Sequence, residues 1–347
     1  MNILITGSAG FIGFHTAFKL LQNKHTVIGV DSINNYYDVG LKKKRLNILK
    51  KKYKKNFIFY KIDISNKKKI LNLFKKHKIH KVINLAAQAG VRYVKKNPDA
   101  YFKSNLEGFY NVLEACRIHK IKHLVMASTS SVYGANKKLP FSVHQPADHP
   151  TQFYAASKRS NELIAHSYSH MFNMPITALR FFTVYGPWGR PDMSMYLFVN
   201  KILKNKPIDM FNNGNHARDF TYIDDIVSGI IKTVNKIPKK DRSWGLNYTE
   251  PSTSEAPFKI LNIGNGTKIS LRKYVVTIAK ILNKKVKIRY LPMQEGDIKE
   301  TLSDIKETKK YLGYMPKTNI YDGIKKLALS RMDVAFSLRH NQKVQFN

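Results

Sequence analysis

Short apolar runs alternate with longer amphipathic segments through the first half of the chain. The intervening segments have the length and mixed character of helices, whereas the runs themselves suit strands that are covered on both faces. The alternation therefore predicts an α/β fold of the Rossmann type, with a doubly wound parallel sheet. The predicted strands are residues 2–6, 26–30, 57–62, 81–85, 123–127 and 176–181.

This regular alternation ends near residue 182, where a Gly- and Pro-rich segment covers residues 185–191. A chain of 347 residues is typical of one nucleotide-binding domain that carries a second, smaller unit. We predict a cofactor-binding domain at 1–181, with segments near 220–235 and 258–265 returning to it, a smaller carboxyl-terminal α/β substrate-binding domain mainly at 182–330, and a tail at 331–347.

A glycine-rich turn at residues 7–13 follows the first predicted strand and opens a helix predicted over residues 14–22. In this context small residues let backbone N–H groups approach a pyrophosphate. Asp31 ends the second strand, where its carboxylate can accept hydrogen bonds from both hydroxyls of an adenosine ribose and would repel a 2′-phosphate. An Asp that merely closes the strand is the alternative. The pattern favours NAD, held by Gly7, Gly10, Phe11, Ile12, Gly13 and Asp31, with Asp63 and Ile64 at the adenine edge.

Tyr154 and Lys158 lie four residues apart in a predicted helix, so their side chains share one face. A neighbouring ammonium and a positively charged nicotinamide both favour the phenolate of a tyrosine, which could then accept a hydroxyl proton. The pair alone also occurs on ordinary amphipathic helices. The hydroxyl run at 128–131 strengthens the catalytic interpretation, because it follows a strand and lies at the carboxyl end of the sheet, where ligands bind.

The formal net charge of +37 raises nucleic acid as an alternative partner. Arginine, the preferred reader of phosphates and bases, supplies only 12 of the 60 basic residues. The lysines form scattered runs such as 42–44, 50–52 and 67–69, typical of a compositional bias. We therefore expect no specific nucleic-acid partner, and keep a Rossmann scaffold that binds nucleic acid as a lesser hypothesis.

The length of the apolar segments bears on cellular location, and the cysteine count bears on metal binding. No uninterrupted apolar run approaches the roughly 18 residues of a membrane span, and a strand beginning at residue 2 leaves no room for a leader peptide. These features predict a cytoplasmic protein without a membrane partner. Cys116 is the single cysteine, which excludes a disulfide framework and a thiolate metal site, so no metal is expected.

Three long segments carry a more specific signal: residues 87–93, 180–193 and 218–225. Together with the glycine turn, the hydroxyl run and the Tyr154 and Lys158 pair, they make the chain resemble the extended short-chain dehydrogenase/reductase superfamily. Within it, the similarity is to UDP-glucuronate 4-epimerases, from residue 1 to about residue 328.

The resemblance implies NAD-dependent epimerisation of UDP-glucuronate to UDP-galacturonate, which would supply a precursor of surface polysaccharide. Tyr154 would take the C4 hydroxyl proton while hydride passes to NAD and later returns to the other face. Lys158 would hold the nicotinamide ribose and lower the pKa of Tyr154, and Thr129 would bind the C4 oxygen. Leu85, Ala86, Ala87 and Asn105 would complete the cofactor site. A homodimer through paired helices is also implied.

Substrate contacts follow from the same resemblance. Thr183 and Arg190 would hold the C6 carboxylate, Arg92 would lie at the sugar end of the pocket, Arg218 near the diphosphate and Asp297 near the nucleotide ribose.

Related activities differ at a few positions. Ser130 and Ser131 stand where sugar 4,6-dehydratases carry Asp-Glu, and a UDP-glucuronate decarboxylase would carry Glu in place of Ser131. Both activities are therefore disfavoured, and the two serines are expected to contact substrate. A UDP-glucose or UDP-N-acetylhexosamine 4-epimerase is the alternative, and Arg190 argues against it.

Overall fold

A parallel seven-stranded sheet forms the centre of the computed structural model, which describes residues 1–90, 93–246, 249–294 and 297–330. The predicted substrate residue Arg92 and the predicted tail at 331–347 lie outside the described residues. The strands are β1 (Asn2–Thr6), β2 (Thr26–Asp31), β3 (Phe57–Lys61), β4 (Lys81–Asn84), β5 (His123–Thr129), β6 (Ile176–Phe181), β7 (Thr183–Tyr185), β8 (Ile208–Met210), β9 (Ala217–Tyr222), β10 (Phe258–Ile263), β11 (Lys268–Ser270) and β12 (Ile288–Tyr290).

Helices connect these strands and cover both faces of the central sheet. They are α1 (Phe11–Gln22), α2 (Val39–Lys52), α3 (Lys67–Lys76), α4 (Asp99–Tyr101), α5 (Gly108–Ile118), α6 (Phe153–Phe172), α7 (Ser194–Leu203), α8 (Ile223–Asn235), α9 (Leu271–Leu282) and α10 (Lys306–Leu312). A π-helical segment, Phe102–Glu107, joins α4 to α5, and residues 320–330 are also helical.

The central sheet has the strand order β10-β6-β5-β4-β1-β2-β3, and all its neighbouring pairs are parallel. The direction of winding reverses between β1 and β4. At such a switch point the two flanking connections leave toward opposite faces, which opens a crevice at the carboxyl ends of the strands. This architecture confirms the predicted α/β fold.

Alternate residues of β1 enter two different cores, as expected for a strand covered on both faces. Ile3 and Ile5 pack with buried side chains of α1, α2 and α8. Leu4 packs on the other face with α3, α5 and α6. Cys116 lies fully buried in α5, and burial raises the pKa of its thiol, so it is held away from solvent as an unreactive group.

A second, smaller unit lies at the carboxyl edge of the sheet. β9 pairs with β7 and β11, while β8 pairs with β12. Residues of α7 and α9 pack with these strands in a third core, which Phe11 at the start of α1 also enters. Between these elements the chain returns to the large sheet, where β10 pairs with β6.

Three predicted boundaries differ from the observed ones. Helix α1 begins at Phe11 rather than residue 14, because the glycine turn closes directly into the helix. β3 ends at Lys61, so Asp63 lies beyond the strand, in the loop that follows. β5 extends through Thr129, because that residue pairs with Phe181 of β6. The first shift places Gly13 inside α1, the second places Asp63 outside β3, and the third places Ser128 and Thr129 inside β5.

Candidate active site

A cleft of about 690 Å³ lies between the carboxyl ends of the central strands and the second unit. The structure brings together twenty of the predicted site residues along its walls. They are Gly7, Gly10, Phe11, Ile12, Gly13, Asp31, Asp63, Ile64, Leu85, Ala86, Ala87, Thr129, Ser130, Ser131, Tyr154, Lys158, Thr183, Arg190, Arg218 and Asp297. Asn105 is the predicted residue within the described ranges that lies behind the wall instead.

The glycine turn packs backbone against backbone. Gly7 has φ +72°, in the left-handed region that favours glycine, and a Cβ there would lie 2.9 Å from the backbone nitrogen of Ala86. A Cβ on Gly13 would lie 2.0 Å from the carbonyl oxygen of Gly7. Only glycines allow this approach, which leaves the amino-terminal end of α1 facing the cleft, where backbone N–H groups can bind an anion.

Asp31 is oriented by the backbone at the end of β2. Its carboxylate accepts hydrogen bonds from the N–H groups of Ala9, at 3.0 Å, and Ile33, at 2.9 Å. Burial raises the pKa of this carboxyl, while the two hydrogen bonds and the charge of Lys42 act in the opposite direction. Asp63 lies farther out, and its Oδ1 accepts hydrogen bonds from the backbone and hydroxyl of Ser65.

Asn105 positions the wall of the cleft. It lies in the π-helical segment, and its side-chain amide donates hydrogen bonds to the Gln88 carbonyl, at 3.1 Å, and to Ser157 Oγ, at 3.0 Å. Its Oδ1 accepts a hydrogen bond from the Gln88 N–H at 2.8 Å. Asn105 therefore ties the loop after β4 to α6, the helix that carries the predicted catalytic pair.

Tyr154 and Lys158 lie in the first part of α6 and both face the cleft. Burial raises the pKa of Tyr154, whereas the charge of Arg190 and a hydrogen bond with Thr129 lower it. Among the described residues, Arg190 is thus a cation whose charge favours the phenolate of Tyr154, and the predicted role of Lys158 in lowering the same pKa stays a prediction. Burial lowers the pKa of Lys158 to about 8, while the charge of Glu162 acts to raise it.

Glu162 stands one helical turn beyond Lys158 and is fully buried. Its carboxylate accepts hydrogen bonds from Arg180 Nε at 3.0 Å and Nη2 at 2.8 Å, and from Ser128 Oγ at 2.5 Å. Arg159 adds a further hydrogen bond at 3.1 Å. These donors hold the pKa of Glu162 below its ordinary value despite burial. Sequence reasoning missed this carboxylate, although its spacing of four from Lys158 was a usable signal.

The hydroxyl run forms a tight turn at the end of β5. Ser130–Tyr133 is a 3₁₀ helix that Thr129 caps, since Thr129 Oγ1 accepts a hydrogen bond from the Ser131 N–H at 3.2 Å. The turn holds the hydroxyls of Thr129, Ser130 and Ser131 along the same cleft as Tyr154.

Arg190 faces this group from the loop after β7. Its guanidinium donates two hydrogen bonds to Asp192, from Nε at 3.1 Å and from Nη2 at 2.5 Å. The hydroxyl of Tyr36 donates to the same carboxylate at 3.1 Å. Arg190 therefore already presents a bidentate donor pair to a carboxylate within the cleft. Thr183, in β7, lines the same region.

The far end of the cleft belongs to the second unit. Arg218 Nη2 donates to Asp297 Oδ1 at 3.1 Å, and its Nη1 donates to the Lys299 carbonyl at 2.8 Å. His216 Nε2 lies 3.6 Å from Asp297 Oδ2. Sequence reasoning missed several further lining residues, of which Asp192 was detectable only from its position within a matched segment. These are Tyr36, Asp192, Lys201, Asp209, Phe211 and His216.

The described part of the chain holds neither a cluster of metal ligands nor a membrane-spanning helix. Within residues 1–90, 93–246, 249–294 and 297–330, no group of three or more His, Cys, Asp or Glu side chains could hold a metal ion. None of the helices in those ranges combines the length and apolar character that crossing a bilayer requires.

Known proteins resemble this chain over most of its length. Protein CapI of Staphylococcus aureus is 48% identical over 326 residues, covering 94% of this chain and 97% of that protein. A probable UDP-glucuronate 4-epimerase of Rhizobium meliloti (strain 1021) is 41% identical over 325 residues, covering 93% and 95%.

A solved structure extends the similarity to the fold. The UDP-glucuronic acid 4-epimerase from Bacillus cereus, crystallised with UDP-glucuronic acid and NAD, superposes with a TM-score of 0.83 and 31% identity, covering 96% of this chain and 100% of that one. Residues 4–327 match the GDP-mannose 4,6-dehydratase family. The chain therefore belongs to the GDP-mannose 4,6-dehydratase family, as a relative of UDP-glucuronate 4-epimerases.

Proposed function

We propose that this protein is an NAD-dependent isomerase that interconverts UDP-glucuronate and UDP-galacturonate. One observation carries the proposal. Arg190 donates two hydrogen bonds to the carboxylate of Asp192 within the cleft that also contains Tyr154 and Lys158, so its guanidinium is oriented for bidentate binding of a carboxylate. A sugar with its C4 hydroxyl at Tyr154 could then place a C6 carboxylate at the guanidinium. The relatives that act on UDP-glucuronate support this assignment.

The residues present fit NAD. The glycine turn leaves backbone N–H groups for a diphosphate, and Asp31 offers carboxylate oxygens to an adenosine ribose. Lys158 faces the cleft beside Tyr154 and is placed to hold the nicotinamide ribose. When bound, NAD supplies reversible acceptance of a hydride.

Proton transfer falls to Tyr154. Thr129 and Arg190 both lower the pKa of its hydroxyl, opposing burial. Tyr154 accepts the proton of the C4 hydroxyl and returns it in the second half of the cycle, while Thr129 binds the C4 oxygen. Lys158, with a pKa of about 8, is mostly protonated at neutral pH and adds positive charge beside the reacting groups.

The family's name refers to dehydratases, yet the turn after β5 argues for epimerisation here. Elimination of water needs an acid and a base beyond the redox pair, and dehydratases supply them as Asp-Glu. In this chain the two positions are Ser130 and Ser131, whose hydroxyls do not titrate near neutral pH. They are better suited to hydrogen-bonding the sugar.

A UDP-glucose 4-epimerase is the alternative, since it would share Tyr154, Lys158 and the cofactor site. Arg190 disfavours it, because a neutral C6 hydroxyl would leave the guanidinium beside the sugar without an anionic substrate group.

Assembly as a homodimer is part of the proposal. Helices α5 and α6 contact one another through Tyr110 and Tyr168, whose ring centroids lie 6.5 Å apart. Both helices expose large apolar side chains, which a twofold partner could cover. These are Tyr110, Ile118, Leu163, Met171 and Phe172. Sedimentation of the wild type and of Leu163→Glu tests this: a dimer that becomes a monomer supports it, and a monomeric wild type contradicts it.

We also propose that the second unit, mainly within 182–330, binds the nucleotide sugar while 1–181 and the returning β10 hold the cofactor. Arg218 and Asp297 lie on the second-unit side of the cleft and support this division. The cytoplasmic location and the supply of surface polysaccharide precursors stay predictions.

The deciding experiment incubates the purified protein with UDP-glucuronate without added nucleotide. We expect a product of unchanged mass, identified by NMR as UDP-galacturonate. Tyr154→Phe should lower the rate about 10³-fold, as loss of a general acid–base group does, while the matched control Tyr321→Phe, at an exposed tyrosine outside the cleft, should keep it. A product lighter by CO₂ or by water would overturn the proposal.

A further inference from the structure

Arg45 is a fully buried guanidinium that the proposed reaction does not use. It lies in α2 and is 0% exposed. A charge removed from water requires hydrogen-bond partners in fixed positions, so the groups around Arg45 show what it holds together.

Those partners belong to three segments that are separated in the sequence, at residue 9, at residue 37 and at residues 188–189. Arg45 Nη1 donates to the Ala9 carbonyl at 2.9 Å and to the Tyr37 hydroxyl at 2.9 Å. Arg45 Nη2 donates to the Trp188 carbonyl at 2.5 Å and to the Gly189 carbonyl at 3.3 Å. One planar side chain thus connects the glycine turn before α1 to the loop after β7.

The loop needs such support, because Trp188 has φ +59°. A bulky side chain rarely adopts this left-handed conformation, and it persists only where surrounding contacts enforce it. The other contacts come from α1: the Trp188 ring lies 6.0 Å from that of Phe14, and His15 Nε2 donates to the Pro187 carbonyl at 3.0 Å. The cofactor half of the molecule therefore sets the backbone of this loop.

Arg190 follows directly in the chain. We propose that Arg45 is a positioning residue for substrate selectivity, which fixes the 187–189 backbone against the glycine turn so that Arg190 meets the carboxylate of the sugar. This inference rests on the proposed function. Arg45 also connects the two halves of the cleft, because its guanidinium holds Ala9, beside the predicted diphosphate site, and Gly189, beside the proposed carboxylate site.

The test compares Arg45→Lys with wild type for two ligands, UDP-glucuronate and UDP. Lysine keeps the charge but cannot reach oxygens on both sides at once. We expect the dissociation constant of UDP-glucuronate to rise about tenfold while that of UDP, which lacks the carboxylate, changes less than about twofold. The control Lys44→Met removes an exposed cation from the same helix and should change neither value.

Equal weakening of both ligands, or no weakening of either, would overturn the inference. If Arg45→Lys does not fold, Tyr37→Phe removes one acceptor of the same guanidinium and should weaken UDP-glucuronate selectively by about twofold to threefold; an unchanged ratio of the two constants would again contradict it. A wild type that does not epimerise UDP-glucuronate would instead refute the proposed function, so the two failures are distinguishable.

Discussion

Arg180 and Arg190 lie ten residues apart, and each donates two hydrogen bonds to one carboxylate, yet their surroundings differ. Arg180 pairs with Glu162 beneath the floor of the cleft, where the two side chains are 1% and 0% exposed. Arg190 pairs with Asp192 inside the cleft, where the values are 19% and 34%. The chemistry of the two pairs is the same, and only burial separates them.

Burial decides whether such a pair can exchange partners. Separating Arg180 from Glu162 would leave two charges without solvent, whereas Arg190 can leave Asp192 for another carboxylate at small cost because water reaches both groups. We therefore place Arg180 and Glu162 in the scaffold beneath Lys158, and Arg190 keeps its proposed role in recognition of substrate.

The largest effect is expected from breaking the buried pair. Glu162→Gln leaves the Arg180 charge buried without its counter-ion, which should lower the free energy of unfolding by about 3–5 kcal/mol. The matched change Asp192→Asn breaks the cleft pair and should cost less than about 1 kcal/mol. Urea denaturation measures both, and similar losses in the two variants would remove the distinction.

An intermediate effect is expected from the titration of Lys158, which lies one helical turn from Glu162 of the buried pair. Burial lowers the pKa of Lys158 from 10.5 to about 8, so the folded state binds this proton less tightly than the unfolded state. The resulting penalty is fully present below pH 8 and is lost as the pH rises toward 10.5. That difference corresponds to about 3 kcal/mol.

Lys158→Met isolates the contribution, since all other titrations are shared. With cofactor removed from both proteins, the free energy of unfolding of wild type should rise relative to Lys158→Met by about 3 kcal/mol between pH 7 and 10.5. Denaturation at a series of pH values measures this, and a constant difference would show that Lys158 titrates normally in the folded protein.

The smallest effect is expected in the cleft. Arg190→Lys keeps the positive charge and loses the bidentate geometry, so the KM for UDP-glucuronate should rise roughly tenfold, equivalent to about 1.4 kcal/mol. The free energy of unfolding should stay within about 1 kcal/mol of wild type. Steady-state kinetics and denaturation together check this, and a large loss of stability with an unchanged KM would place Arg190 in the scaffold.

The glycine-turn side of the cleft could be predicted well from the sequence, as far as the arrangement of its residues is concerned. Gly7, Gly13 and Asp31 follow one another within one strand–turn–helix–strand unit, so their spacing along the chain already specifies their arrangement. Tyr154 and Lys158 were recognisable for the same reason, since four residues of helix place both on one face.

The proposed substrate side of the cleft was harder to predict from the sequence. Tyr36 and Asp192 meet at a sequence separation of 156 positions, and Arg218 meets Asp297 at a separation of 79. The family-like segments 180–193 and 218–225 identified Arg190 and Arg218 as candidates. No short-range periodicity in the sequence predicts which residues pair with them. The assignment of Asn105 to the cofactor surface also depended on a motif, whereas the structure places its amide behind the wall, on Gln88 and Ser157.

The sequence by itself determined the alternation of strands and helices, the glycine turn and the shared helix face of the proposed catalytic pair, because these depend on backbone sterics and short-range periodicity. Only the tertiary structure decided which charges are structural and which can bind substrate. Burial and pairing are properties of three-dimensional packing, so two arginines that look alike in the sequence, Arg180 and Arg190, acquire different roles when one is enclosed by β5, β6 and α6 and the other faces the cleft.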